Sequence, residues 1–324
     1  MSFAIRFHQT GGPEVLRWEE VPVSDPAEDE VRIRHEAVGL NYIDTYQRSG
    51  LYPLPLPSGL GQEGAGVVEA VGKEVRDFRP GDRVAYAGGP VGAYSQQRCL
   101  PAARLLKLPE SIDFRTGAAM MLQGLTTAYL LRRTYAVQAG DAVLIHAAAG
   151  GVGLIACQWA RALGATVIGT VSTEAKAELA RQHGCEHVIL YSHEDVAARV
   201  RDITGGEGVA VVYDGVGKDT FSASLDSLRM RGMMVSFGNA SGAVPPFNPL
   251  LLTQKGSLFL TRPMLAHYTA NRDELLALGQ ELFAVVESGK VRININQTFA
   301  LADAADAHRA LEARQTTGST VLLP

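Results

Sequence analysis

The stretch A-V-L-I-H-A-A-A-G-G-V-G, residues 142–153, decides how this chain folds. Its first four residues are an apolar run of strand length. Gly150, Gly151 and Gly153 then fall within four positions, and a helical pattern starts only after them. The order is strand, tight turn, helix. Residues 142–160 carry no formal charge over 19 positions, which is bilayer length, but the glycines break that run before it can become a membrane helix. Backbone amides at a helix N-terminus receive a pyrophosphate only where no side chain blocks the approach, which is why such a turn needs glycine and alanine. Ala148 takes the first position of a G-x-G-x-x-G pattern, with Gly150 and Gly153 at the usual spacing. The turn therefore predicts a dinucleotide site on Gly150, Gly151, Val152 and Gly153.

Working outward, short apolar strands alternate with helical segments. The strands are expected at 142–145, 166–170, 187–190, 209–213, 233–237 and 257–260. Six strands joined by helices require crossover connections, so the expected fold class is α/β with a doubly wound, parallel, six-stranded sheet. Before it, residues 1–120 read as short strands with turn punctuation, and 52–61, with three prolines and two glycines among apolar residues, reads as an irregular loop lining a cleft. After Pro263 the alternation stops. Asn271 and Glu274 are spaced as a capping box with Gly289 as a stop, a last helix is expected at 303–314, and 320–323 follows. These last 60 residues fit a return to the first domain.

Composition excludes several classes. The 324 residues are 46% apolar and 20% charged, which fits about two globular domains. Thirty basic against 34 acidic residues leave a charge of -4, and that argues against nucleic acid as a partner. Cys99, Cys157 and Cys185 have neither disulfide-framework nor zinc-ligand spacing, and the N-terminus shows no export pattern, so a reducing, cytoplasmic setting is expected. His183, Cys185, His187 and His193 alone resemble a metal cluster and read as a surface turn. No G-x-S-x-G, H-E-x-x-H or G-K-[ST] loop occurs.

Choice between NAD and NADP is made about 20 residues beyond the glycine turn, where a carboxylate binds a ribose 2′-hydroxyl or a cation receives a 2′-phosphate. Here the second strand ends in Val171, Ser172 and Thr173, with Lys176 one helical turn on and no carboxylate at the strand terminus. NADPH is the expected cofactor. Glu174 is the opposing feature, and the plain alternative for Lys176 is a solvated helix cation.

Several segments carry a likeness that covers essentially the whole length: G-G-P-E-V-L at 11–16, N-Y-I-D-T-Y-Q-R-S-G-L-Y at 41–52, then 59–66, 81–84, 147–153, 213–217 and 237–239. On these the chain resembles the zinc-free quinone oxidoreductases, the ζ-crystallin type, of the medium-chain dehydrogenase/reductase superfamily. The resemblance implies a GroES-like, mostly-β catalytic domain (1–122 and 264–324) interrupted by a Rossmann NADPH-binding domain (123–263). It also implies a homodimer, which the edge segment 256–260 would join across a two-fold axis. Zinc alcohol dehydrogenases of the superfamily carry cysteine where Asn41 stands and histidine where Gln62 stands, and three cysteines cannot build their structural zinc lobe, so no metal is expected. By the same resemblance Thr126 lies beside the nicotinamide, while Phe237, Gly238 and Asn239 close over the ring and its carboxamide. Ser172, Lys176, Tyr191 and Arg314 would hold the 2′-phosphate.

Without a metal to polarise it, the substrate must itself be electrophilic. A quinone qualifies because reduction restores aromaticity, and an α,β-unsaturated carbonyl qualifies as well. Tyr46 and Tyr52 are the candidates for proton donation or oxygen binding, with Asn41 and Thr126 as polar positioners. A phenol of pKa about 10 is a weak acid, so the alternative is that both rings form cleft wall. The leading expectation is an NADPH-dependent quinone reductase acting on a small molecule. An NADPH-dependent reductase of activated C=C bonds is the runner-up. An RNA-binding or structural crystallin-type protein is the reading from another class.

Overall fold

In the computed structural model, which describes residues 2–324, the chain divides into two compact units. Unit 1 holds the chain as far as Leu125, then Thr269–Phe283 and Ile293–Pro324; unit 2 holds Thr126–Tyr268 and Ala284–Arg292. The N-terminal strands are β1 (Ser2–Phe7), β2 (Arg17–Val21), β3 (Glu30–Leu40), β4 (Ser58–Gly59), β5 (Glu63–Val71), β6 (Arg83–Ala87), β7 (Gln97–Pro101) and β8 (Leu106–Lys107), with helices α1 (Tyr42–Ser49) and α2 (Phe114–Tyr129). The middle of the chain carries β9 (Ala142–Ile145), α3 (Gly151–Ala162), β10 (Thr166–Val171), α4 (Glu174–Gln182), β11 (His187–Leu190), α5 (Val196–Ile203), β12 (Val209–Asp214), α6 (Phe221–Ser227), β13 (Leu228–Ser236), α7 (Leu250–Gln254), β14 (Phe259–Thr261) and α8 (Leu265–Tyr268). The chain ends with α9 (Arg272–Glu287), β15 (Ile295–Ala300), α10 (Ala304–Glu312) and β16 (Ser319–Leu323).

In unit 1 the long β3 is the organising strand. Val31 and Ile33 point into the core while Arg32 and Arg34 alternate outward, the period of two expected of a half-buried strand. It pairs antiparallel with β5, β7 and β16, so the C-terminal strand returns to the first sheet, with Thr320 opposite Leu40. Ile5, Phe7, Tyr86, Leu100 and Leu322 belong to the core, and burying each such side chain is worth about 1.5–3 kcal/mol. Within 52–61 only Ser58–Gly59 forms a strand, where it adds to β1. Helix α1 was not expected in this β region. Its buried residues are Asp44, Thr45, Gln47 and Arg48, so no apolar stripe marks it in the sequence.

Unit 2 carries a six-stranded parallel sheet in the order β11-β10-β9-β12-β13-β14. This is the doubly wound order, and it reverses between β9 and β12, where ligands of such sheets sit. The fifth strand is longer than 233–237. It starts at Leu228 and bulges between the pairs Val209–Leu228 and Val211–Met233, with Arg231 left-handed at φ 58°. The charged residues and glycine of that bulge hid its first half. The apparent cluster at 183–193 is not wholly a surface turn: Cys185 is buried, its Sγ 3.5 Å from that of Cys157 on α3. Among the described residues no helix is long and apolar enough to cross a membrane.

Candidate active site

The glycine turn leaves β9 at His146 and enters α3 at Gly151. Ala147 is left-handed (φ 53°), Ala148 N–H bonds the Thr170 carbonyl at 3.1 Å, and Gly150 N–H bonds the Ala147 carbonyl at 2.9 Å. No side chain caps α3, so its first amides face outward from a turn made only of alanine and glycine. Gly153 is obligatory for packing, because a Cβ there would lie 2.3 Å from the Ala147 carbonyl oxygen.

A buried polar chain fixes this turn from beneath. Asp214, fully buried at the end of β12, accepts from Val216 N–H (2.8 Å), Gly217 N–H (3.0 Å), Thr220 Oγ1 and Ser224 Oγ (both 2.7 Å to Oδ2). Ser224 gives its one proton to Asp214, so it accepts from His146 Nε2 at 3.0 Å, and His146 Nδ1 then accepts from Thr170 Oγ1 at 2.9 Å. Burial lowers the His146 pKa, against the pull of Asp214, and the ring stays neutral. The loop after β13 is laced to this corner: Phe237 N–H bonds Asp214 O at 2.8 Å, and Ala240 N–H bonds Gly215 O at 3.2 Å. Phe237, Gly238 and Asn239 are thus held at the carboxyl end of the sheet.

At the end of β10, Thr173 caps α4 by accepting from Lys176 N–H at 3.4 Å. Tyr191 N–H bonds Val171 O (3.2 Å) and Ser192 Oγ bonds Ser172 O (3.2 Å), which brings Ser172 and Tyr191 to one edge. The opposing Glu174 is paired with Arg181 at 2.8 Å in a surface salt bridge.

In unit 1, Asn41 stands at the N-cap of α1, and its side chain is shared between Glu63 and Gln123: its Nδ2 donates to Glu63 Oε1 (2.5 Å) and its Oδ1 accepts from Gln123 Nε2 (3.2 Å). Tyr46 and Tyr52 come together as an edge-on pair with centroids 5.3 Å apart, and Tyr42, which the sequence reading passed over, stacks obliquely on Tyr46 at 6.1 Å. Thr126 lies on α2, one turn past Leu122 and Gln123. Arg314 follows α10 in the left-handed conformation, with the Tyr42 phenol in its field.

A second buried network runs from Asp44 Oδ2 to Tyr94 Oη (2.9 Å), on to His308 Nε2 (3.2 Å), and from His308 Nδ1 to Arg48 (3.0 Å), whose guanidinium grips Glu312 at 2.6 Å. Burial raises the Glu63 pKa to about 8 and that of Asp44 to about 7, and burial with the nearby Arg48 charge lowers His308 to about 3. For the carboxyls, folded values above unfolded ones give stability that is present at low pH and lost as pH rises through about 7 and 8. For His308 the folded value lies below 6.5, so its contribution is present above 6.5 and lost as pH falls toward 3. His308→Gln should therefore flatten the fall in urea midpoint between pH about 6.5 and about 4. An acid limb as steep as that of the wild type would rule this out.

Glu63, Asp44, Gln123, Asp214 and His308 were missed as site-forming residues. Only Asn41 with Asp44, spaced as a helix cap, left a local signal.

A doubly wound sheet with an uncapped glycine turn, in one chain with a GroES-like unit, defines a medium-chain dehydrogenase/reductase. The chain is 59% identical to a quinone oxidoreductase of Pseudomonas aeruginosa over the full length of both, and 51% identical to a 2-haloacrylate reductase of Burkholderia over all of this chain and 99% of that one. It belongs to the quinone oxidoreductase family of that superfamily. Residues 27–110 match the alcohol dehydrogenase GroES-like domain and 151–276 the zinc-binding dehydrogenase model. The crystal structure of Escherichia coli quinone oxidoreductase complexed with NADPH is 51% identical and superposes with a TM-score of 0.98, covering 99% of this chain and all of that one. The zinc in the second model's name has no fit here: among the described residues no three His, Cys, Asp or Glu could hold a metal ion, and Asn41 is committed to Glu63 and Gln123.

Proposed function

We propose that this protein is an NADPH-dependent quinone reductase, with 123–263 as the cofactor part and 1–122 with 264–324 as the catalytic part. The turn at 147–153 supports this most strongly, since its bare amides and Gly153 suit a pyrophosphate, and the E. coli relative of the same fold binds NADPH. NADPH supplies a hydride at its nicotinamide. Thr126, Phe237, Gly238 and Asn239 orient that ring, and Gly150, Gly151, Val152 and Gly153 receive the pyrophosphate. Ser172, Lys176 and Tyr191, with Arg314, receive the 2′-phosphate; the opposing acid, Glu174, is turned to a surface pair with Arg181. Tyr46 and Tyr52 present a half-buried aromatic pair to a planar acceptor, and their phenols hold its oxygens. The Burkholderia relative, a 2-haloacrylate reductase, keeps reduction of activated C=C bonds as the second reading.

Anaerobic NADPH oxidation against quinones, enones and aldehydes tests the choice: fast turnover with a planar ortho-quinone and none with enones is expected, and the reverse ranking would favour the second reading. Lys176→Ala should weaken NADPH about tenfold more than NADH, the worth of one charge-assisted hydrogen bond. Equal weakening of the two would remove Lys176 from the phosphate site.

The free thiols of Cys99, Cys157 and Cys185 suit a reducing cytoplasm. Strand β14 closes one edge of the sheet with Phe259, Met230 and Met264 exposed, which suits a homodimer paired edge to edge. Sedimentation should give twice the chain mass, reduced to a single chain by Phe259→Asp; a wild-type monomer would contradict the assembly.

A further inference from the structure

Glu63 has no exposed surface, and the backbone makes room for it: a Cβ on Gly39 would sit 2.1 Å from its Oε1. Both oxygens are engaged, Oε1 by Asn41 Nδ2 and Oε2 by the Leu122 N–H, each at 2.5 Å. Leu122 lies inside α2, where its single N–H otherwise belongs to the Ala118 carbonyl four residues back. One rung on, the Ala119 carbonyl, which belongs to the Gln123 N–H, receives the Ser319 hydroxyl at 3.0 Å. The Gln123 side chain joins the two contacts: its Nε2 donates to Asn41 Oδ1 at 3.2 Å, and Ser319 shares its one proton between the Ala119 carbonyl and Gln123 Oε1, the latter at 2.7 Å. The chain Glu63–Asn41–Gln123–Ser319 therefore ties the head of α1 to two successive rungs of α2. Thr126 stands three residues beyond Gln123 and four beyond Leu122, about one turn along that helix.

We propose that Glu63 is a positioning residue for the reduction: it holds the Leu122 N–H of α2 and clamps Asn41, and so sets both the turn that carries Thr126 and the helix that carries Tyr46. This rests on the NADPH:quinone activity proposed above. Glutamine can replace it without loss of pairing. Its Oε1 accepts from Leu122 N–H and its Nε2 donates to Asn41 Oδ1. With the Asn41 amide turned over, Asn41 Nδ2 donates to Gln123 Oε1, Gln123 Nε2 to Ser319 Oγ, and Ser319 to the Ala119 carbonyl. Leucine fills the space but offers no acceptor to Leu122 N–H or to Asn41 Nδ2, so both ties are lost. A carboxyl that serves stability alone would not separate these variants by turnover.

The test is steady-state kinetics with NADPH and a quinone for the wild type, Glu63→Gln and Glu63→Leu, with circular dichroism confirming the fold. For Glu63→Leu we expect kcat to fall on the order of 10²-fold, the usual cost of misplacement by about 1 Å, with KM for NADPH within about twofold. Glu63→Gln should stay within about threefold of wild-type kcat. A folded Glu63→Leu with kcat within about threefold of the wild type, or a Glu63→Gln that falls as far as Glu63→Leu, overturns the role. Should Glu63→Leu fail to fold, Ser319→Ala, which unties the far end, should lose about tenfold in kcat at unchanged KM for NADPH, and undiminished kcat overturns the role as well. A wild type without quinone turnover would instead sink the activity itself and this role with it.

Discussion

Gly153→Ala should weaken NADPH binding by about 10²-fold or more, because the turn cannot keep its shape around a methyl group. The added Cβ would lie 2.3 Å from the Ala147 carbonyl oxygen, 2.7 Å from the Ala148 carbonyl carbon and 2.8 Å from Ala148 Cα. All three atoms are backbone, so no side-chain rotation relieves the contact, and α3 has to move away from β9. Its first amides then leave the position in which they face a pyrophosphate. Gly150→Ala is the matched control, since its Cβ would meet a single atom, the Ala147 carbonyl oxygen at 3.2 Å, and the fold gives way by tenths of an ångström. Fluorescence titration of both variants checks the ranking, and undiminished affinity in Gly153→Ala would contradict it.

The largest loss of stability is expected from Asp214→Ala, about 4 kcal/mol. The fully buried carboxylate accepts from two backbone amides, Val216 and Gly217, and from the hydroxyls of Thr220 and Ser224. Alanine leaves these donors in a space closed to water, where each unmade bond costs about 1–3 kcal/mol before relaxation. The damage extends to the turn, because Ser224 orients His146 and His146 lies at its start. Urea unfolding followed by tryptophan emission measures it. A shift of less than about 1 kcal/mol would mean that the chain from Thr170 to Asp214 is not the brace of the turn.

How much of this was legible in the sequence follows from how each feature is held together. Strand β9, the turn and α3 are specified within 21 consecutive residues, Ala142 to Ala162, and apolar run, glycines and helical pattern all point the same way. The six parallel strands were readable for a similar reason, each being a short buried run between turns. Strand β13 was half hidden because its bulge is built from half-buried Arg229 and exposed Arg231. Helix α1 was invisible because it buries polar residues, which pair with partners distant in sequence: Arg48 with His308 and Glu312, Asn41 with Glu63 and Gln123. Contacts of 22 to 264 residues' separation leave no local pattern. Tyr46 and Tyr52 were nominated from a likeness in the segment around them, whereas the buried carboxyls Asp44 and Glu63 needed the fold.

Isothermal titration of the metal-free, chelator-washed wild type with NADPH and, separately, NADH reaches the heart of the account. It predicts one NADPH bound per chain, more tightly than NADH, and a complex that anaerobic addition of a planar ortho-quinone oxidises at once without added metal. No heat on NADPH addition, or a bound cofactor whose electrons reach the quinone only after zinc is supplied, would contradict it.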